Sequence, residues 1–348
     1  MRVRQSAVCG LLFVLGIVSC CAQAQQKPEI KIGFSIEATK GERWQTDLDE
    51  FQLRAQQLGA QTITRSANGD DDLQFQQVTE LLNSGIDVLV LLPHDFEKAS
   101  RIVEAAHAKH VPVISYDRLI HNPHVDLYVG FDLFSVGVLQ ATCLTQHSPK
   151  GNYILMGGSP LDPNSKVVRA GQMSVLQPFI DRGDIKILAD IWIAEWSATQ
   201  AYVLVTKALH DLKVPLTAIV ASNDSTAGGA IQALEDNNLS GKVLVTGQDA
   251  DLVAVARLYE GTQLMTVYKP IVGEARTAAE AAVMLSRHAN IETRTTVPNG
   301  TQTTKAILLT PIAVTRQNAK DTVLKDGFQK IETVKQALPK DKWPELDR

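Results

Sequence analysis

The chain has 348 residues, enough for two domains at roughly 150 residues each. It is 45% hydrophobic and 21% charged, a globular composition that excludes a disordered, collagenous or coiled-coil chain. Lys and Arg number 34 against 38 Asp and Glu, a formal charge of −4, so no basic excess exists to neutralise phosphates and no nucleic-acid partner is expected.

The first 24 residues read as an export signal. Arg2 and Arg4 form a basic start, and Ala7 to Ser19 is a mostly apolar stretch too short to span a bilayer, followed by small residues. Two processing schemes stay open. Ala22-Gln23-Ala24 suits cleavage after residue 24 and release of a soluble periplasmic protein. Ile17-Val18-Ser19-Cys20 is similar to the lipobox of bacterial lipoproteins, which would end the signal at residue 19 and leave Cys20 lipid-modified. Cys9, Cys20 and Cys21 crowd this region, so the folded part can hold no disulfide framework, and Cys143 reads as a buried structural thiol.

From Glu29 the chain alternates strands and helices. Glu29–Ile36 is β-rich, and Glu42–Leu58 has helical spacing and stops at Gly59. Thr62–Thr64 and Leu73–Asn83 repeat the unit. Asp87–Leu92 is a continuous apolar run, as expected of a strand covered on both faces. A helix over Phe96–Lys109 and strands at Val111–Ser115 and Leu127–Val129 complete a first block. A second block starts at Leu133, with strands at Tyr153–Met156, Ile185–Ile193, Ala218–Ala221, Val243–Thr246 and Leu264–Val267. Helices fall near Val167–Phe179, Thr199–His210, Ala227–Glu235 and Leu252–Tyr259.

Two such blocks imply an α/β protein of two doubly wound parallel-sheet lobes. The helical residues Ile271–Arg287 and the apolar run Ala306–Leu309 follow a full second block, so the chain is expected to return to the first lobe and recross, making a multi-crossing hinge. The expected boundaries are 28–135 with 271–305 for one lobe and 136–270 with 306–330 for the other. Residues 331–348, with Pro339, Pro344 and many charges, read as a surface tail, and Asn299-Gly300-Thr301 reads as a turn.

Ligands of open α/β sheets bind beyond the carboxyl ends of the strands. Those ends carry Arg43 and Trp44, then Asp117 and Arg118, then Gly157-Gly158-Ser159-Pro160 followed by Asp162 and Asn164. The later ends carry Trp196, Asn223, Asp249 and Lys269. Asp, Asn and Arg can each bridge two neighbouring hydroxyls, and Trp offers a flat face to the C–H side of a sugar ring. Arg43, Arg118 and Lys269 are balanced by Asp117, Asp162 and Asp249. An enclosed site of paired charges suits an uncharged, polyhydroxylated ligand.

These strand-end motifs, in this order, closely resemble those of the bacterial periplasmic D-xylose-binding proteins, in the sugar-binding family that includes ribose- and galactose-binding proteins. The likeness runs from Lys31 to about Phe328 and is most specific at Met156–Pro160, Arg169–Met173, Ala221–Leu234, Gly247–Leu252 and Met265–Ile271. It implies the type I periplasmic binding protein fold and capture of a monosaccharide, D-xylose first. A membrane permease of an ABC transporter would be the partner and the acting form a monomer. It implies sugar contacts from Arg43, Asp117, Arg118, Asn164, Trp196, Asn223, Asp249 and Lys269, ring stacking by Trp44, and a polar pocket position at Asp162.

Simpler roles compete at several positions. Trp44 and Trp196 could be core aromatics, and Asp117–Arg118 a surface ion pair. Asn223 and Asp224 both suit a helix N-cap, with Asp224 assigned the cap and Asn223 the ligand. Arg169 reads equally as pocket support or surface charge. No metal or cofactor is expected: the eight His lack metal-ligand spacing, and neither Gly-x-Gly-x-x-Gly nor Gly-x-Ser-x-Gly occurs at a strand end. A glycosidase using Asp117 and Asp249 is disfavoured, because neighbouring cations lower carboxyl pKa values and oppose an acid role. A periplasmic sugar sensor for a membrane kinase or chemoreceptor stays open.

Overall fold

The computed structural model describes residues 29–37, 42–160, 162–293 and 295–347. The export signal and Cys20 lie outside them.

The chain begins with β1 (Ile30–Ile36), α1 (Glu42–Gln57), β2 (Ala60–Ser66), α2 (Asp71–Asn83), β3 (Val88–Leu92), α3 (Ser100–His107), β4 (Val113–Tyr116) and β5 (Leu127–Phe131). All five residues of β3 are buried, as its continuous apolar run requires of a central strand. Asp70 caps α2 by accepting the N–H groups of Asp72 and Leu73 at 2.9 and 3.0 Å.

The chain then crosses into α4 (Leu133–His147) and the second lobe. There it runs through β6 (Gly151–Gly157), α5 (Pro163–Asp181), β7 (Ile185–Trp192), α6 (Ala198–Asp211), β8 (Ala218–Ala221), α7 (Asp224–Asp236), β9 (Leu244–Val245), α8 (Leu252–Glu260) and β10 (Met265–Tyr268). The helices α4 and α5 touch backbone to backbone. A Cβ on Gly137 would lie 2.0 Å from the Val168 carbonyl oxygen, and one on Gly171 would lie 2.0 Å from that of Phe134. Cys143 faces the interior of this region, and burial pushes its thiol up to about 11. At pH 8 such a thiol is only about 0.1% thiolate, so alkylation of Cys143 is expected only on unfolding. Rapid labelling of Cys143 in the native protein would contradict this.

After β10 the chain returns through α9 (Ile271–Ser286), which packs on α1 in the first lobe, and a hairpin of β11 (Thr295–Asn299) and β12 (Gln302–Leu309). The first sheet is thereby completed in the order β11-β12-β5-β4-β3-β1-β2. The expected turn at 299–301 is the hairpin loop, with Gly300 at a φ of 63°. Ala306–Leu309 pairs in parallel with Tyr128–Phe131 of β5. The third crossing therefore follows Leu309 rather than residue 305, because this apolar run has a partner only in the first sheet. The chain recrosses into β13 (Ile312–Thr315), which pairs antiparallel with β10. The second sheet has the order β7-β6-β8-β9. Bonds from Leu264 N to Val245 O and from Val267 N to Gly247 O, at 2.9 and 3.1 Å, continue it irregularly onto β10.

The carboxyl-terminal residues are not a surface tail. They form α10 (Ile331–Ala337) and α11 (Trp343–Asp347), and Val334, Leu338 and Leu346 are buried with Val255, Leu258 and Tyr259 of α8. Their apolar residues are sparse but share one side, while Glu332, Lys340 and Asp341 are exposed.

Candidate functional site

Three crossings align the carboxyl ends of both sheets across one cleft. A cavity of about 210 Å³ lies between them, lined from the first lobe by Trp44, Asp117 and Arg118. From the crossing and the second lobe it is lined by Leu133, Asp162, Asn164, Val168, Trp196, Asn223, Gln248, Asp249, Asp251 and Lys269. Drug-sized ligands occupy roughly 300–1,000 Å³, so this space suits a single small ring. It adjoins a wider groove of about 1060 Å³ that shares Trp44, Asp249, Asp251 and Lys269. Nine of the ten expected positions thus meet at the cavity. The side chain of the tenth, Arg43 in α1, lies outside the described residues.

In the first lobe, the chain turns sharply after β4, with Asp117 at a φ of 58°. The turn is tied down by Asp117 N to Val129 O at 2.9 Å and by the Tyr128 hydroxyl donating to Asp117 O at 2.8 Å. Arg118 follows. Its Nη1 pairs with Glu37 Oε2 at 2.7 Å and donates to Pro93 O at 3.2 Å. Burial alone would lower the guanidinium pKa, but Glu37, Asp162 and Asp117 outweigh it and the net shift is upward, so Arg118 stays charged. Glu37 was not anticipated from the sequence, although its place at the end of β1 marks it as a strand-end residue. Trp44 packs against the first-lobe core and also lines the cavity.

In the second lobe, Asp162 caps α5, its Oδ1 accepting the Asn164 N–H at 2.9 Å. Its Oδ2 accepts the Trp196 indole N–H at 3.2 Å and lies 4.0 Å from Arg118 Nε across the cleft. One carboxylate thus fixes a helix start, an aromatic ring and the approach of the two lobes. The Gly157-Gly158 pair is explained by the tryptophans: a Cβ on Gly157 would lie 2.7 Å from the Trp192 ring and one on Gly158 2.2 Å from that of Trp196. Trp192, at the end of β7, is only partly buried and lies under the Arg169 guanidinium at 4.8 Å. Arg169 is buried and bonded to Gln172, which donates to Gln140. Gln140 in turn donates to the Ser222 and Gly247 carbonyls. Arg169 is therefore pocket support rather than surface charge.

The cap assignment at α7 is reversed. Asn223, not Asp224, caps the helix, its Oδ1 accepting the Thr226 N–H at 3.0 Å and the Thr226 hydroxyl at 2.6 Å. The extended backbone at Asn223 (φ −146°, ψ 171°) is what a capping residue needs. Asn223 still lines the cavity. Asp249 Oδ1 pairs with Lys269 Nζ at 3.0 Å, and Lys269 is 5% exposed, too buried for a solvated hinge lysine. Asp251 opens α8 and also lines the cavity, as does the buried Gln248. Gln248 shares the strand end that carries Asp249, and Asp251 competes with Asp249 for the functional place in the same loop.

Two lobes with a paired-charge cleft at facing strand ends define a class of binding protein. The sequence pattern of the periplasmic binding protein domain matches residues 32–290, and the chain belongs to that family. It is similar to the D-xylose-binding periplasmic protein of Haemophilus influenzae, 46% identical over 324 residues that cover 93% of this chain and 98% of that one. The D-xylose-binding periplasmic protein of Escherichia coli is 47% identical over 307 residues, covering 88% and 93%. A solved structure of a carbohydrate transporter solute binding protein from Chloroflexus aurantiacus, in complex with D-glucose, superposes with a TM-score of 0.81. It is 29% identical and covers 88% of this chain and 98% of that one.

Proposed function

We propose that this is an exported solute-binding protein that captures D-xylose between its lobes and delivers it, unchanged, to an ABC sugar transporter. The observation that carries the reading is the convergence of polar and aromatic strand-end side chains from both lobes on one cavity of about 210 Å³. Its charged groups are mutually paired, Arg118 with Glu37 and Lys269 with Asp249. A neutral ligand leaves those pairs intact, whereas an anion would meet Asp117, Asp162, Asp249 and Asp251. The names of the two similar D-xylose-binding proteins favour that sugar.

In this reading Asp117, Arg118, Asn164, Asn223, Asp249 and Lys269 bond the sugar hydroxyls, with Arg43 alongside them. Trp44 and Trp196 bracket the ring, and Asp162 holds Trp196 while meeting Arg118. A ligand that touches both lobes favours the closed state by its differential affinity for it. The closed surface is then what the permease reads.

Calorimetric titration with D-xylose, ribose, arabinose, glucose and galactose tests the reading. Tight one-to-one binding of D-xylose is expected, with a smaller radius of gyration in solution scattering once sugar is added. No heat from any of the five sugars would overturn it. We place the mature protein in the periplasm as a monomer anchored through Cys20. Mass spectrometry should find an acylated Cys20, and an unmodified chain beginning at Gln25 would remove the anchor.

A further inference from the structure

Asp224, which loses its expected capping role to Asn223, is 2% exposed. It does not line the small cavity, yet its carboxylate joins three segments behind it. Oδ1 accepts the Gln263 side-chain amide at 2.8 Å. Oδ2 accepts the Thr266 hydroxyl at 2.8 Å and the Asp251 N–H at 3.0 Å. Thr266 Oγ1 in turn accepts the Ala250 N–H at 3.1 Å, and the Asp224 N–H donates to Gln248 O at 2.9 Å. These bonds enclose residues 248–251. Within that segment Asp249 has a φ of 103° and Ala250 one of 54°. Residues with a Cβ persist in such conformations only where their surroundings hold them. The entry to the loop also closes on the carboxylate: a Cβ on Gly247 would lie 1.9 Å from Asp224 Oδ1. Burial, and after it the nearby Asp251 and Asp249, raise the Asp224 pKa well above the usual carboxylate value.

We propose that Asp224 is a positioning residue for sugar recognition: its carboxylate holds the left-handed backbone at 249–250 and so aims Asp249 into the cavity against Lys269. The inference rests on the sugar-binding reading above. An isosteric Asp224→Asn cannot replace it. If the new amide faces Gln263, two donors oppose each other, and Gln263 cannot turn without losing its bond to Met265 O at 3.1 Å. If the amide faces the other way, the Asp251 N–H loses its acceptor.

Titration with D-xylose, alongside the wild type, tests the role. Asp224→Asn is expected to weaken binding about 30-fold and Thr266→Val about fivefold. In an Asp249→Asn background, Asp224→Asn should add little further loss, because both changes act through the same carboxylate. Unchanged affinity in Asp224→Asn overturns the proposal, and so does a full additive loss in the double variant. If Asp224→Asn does not fold, Thr266→Val decides: wild-type affinity there overturns the role. A wild type that binds no sugar at all defeats the functional reading itself, and the inference with it.

Discussion

Alanine at Asp249 is expected to cost ~2–5 kcal/mol of D-xylose affinity, the range for truncating one partner of a buried charge pair. That is a loss of roughly 30- to 4,000-fold. Asp249 and Lys269 are 3.0 Å apart, and Lys269 is buried. Removing the carboxylate takes away a sugar acceptor in the proposed reading and also leaves an ammonium group uncompensated in the cleft. The second effect can be separated from the first. In the Asp249→Ala background, Lys269→Met should recover part of the stability lost, because no buried cation remains, but should not restore binding. Calorimetry and thermal unfolding on the two variants check both statements. Affinity within threefold of wild type for Asp249→Ala would take this pair out of the recognition site.

The parts of the fold that were legible in the sequence are those where one physical demand dominates. Val88–Leu92 must be apolar throughout because both of its faces are covered, so the strand is visible without any periodicity. Ala306–Leu309 is visible for a related reason: β12 lies between β11 and β5, and Ala306 packs fully inside. The elements that went unseen lack such a demand. Edge strand β11 reads Thr-Thr-Val-Pro-Asn and is largely exposed, with Pro298 allowed only because an edge strand can spare a donor. The carboxyl-terminal helices meet the core through Val334, Leu338 and Leu346, too few to stand out among eight or more charged neighbours in the same stretch of sequence.

At the cleft, the rule that ligands sit beyond strand ends located the residues but could not divide the labour among them. Asn223 and Asp224 are adjacent and both suit a cap. The choice is made by the partners that β10, the turn before it and the 248–251 loop bring to Asp224, namely Thr266, Gln263 and Asp251, and no local pattern encodes them. Asp162 likewise reads only as a polar pocket position until the fold brings Trp196 and Arg118 to its second oxygen. Glu37 stayed hidden because a lone carboxylate after a strand has no meaning until Arg118 arrives from β4 to pair with it.

The glycines of α4 and α5 set a limit that composition hides. Gly171→Ala adds one methyl group and improves helix propensity by about 1 kcal/mol, so on propensity alone it should stabilise α5. The new Cβ would lie 2.0 Å from the Phe134 carbonyl oxygen and 3.1 Å from the Gly137 Cα. Those neighbours are main-chain atoms of a packed helix and cannot swing aside as a flexible side chain would. The helices must separate, and separation breaks the bond from Gln172 to Gln140 at 2.8 Å, behind the cleft. Overpacking costs ~1–3 kcal/mol where side chains can adjust, and backbone contact belongs at or beyond the upper end of that range. A net destabilisation of ~2 kcal/mol or more should therefore lower the melting temperature by roughly 4–8 °C in a domain of this size. Sugar affinity should fall as well, because α5 carries Asn164 and begins at Asp162. A thermal melt of Gly171→Ala at or above the wild-type midpoint would show that α4 and α5 have more room than their glycines imply.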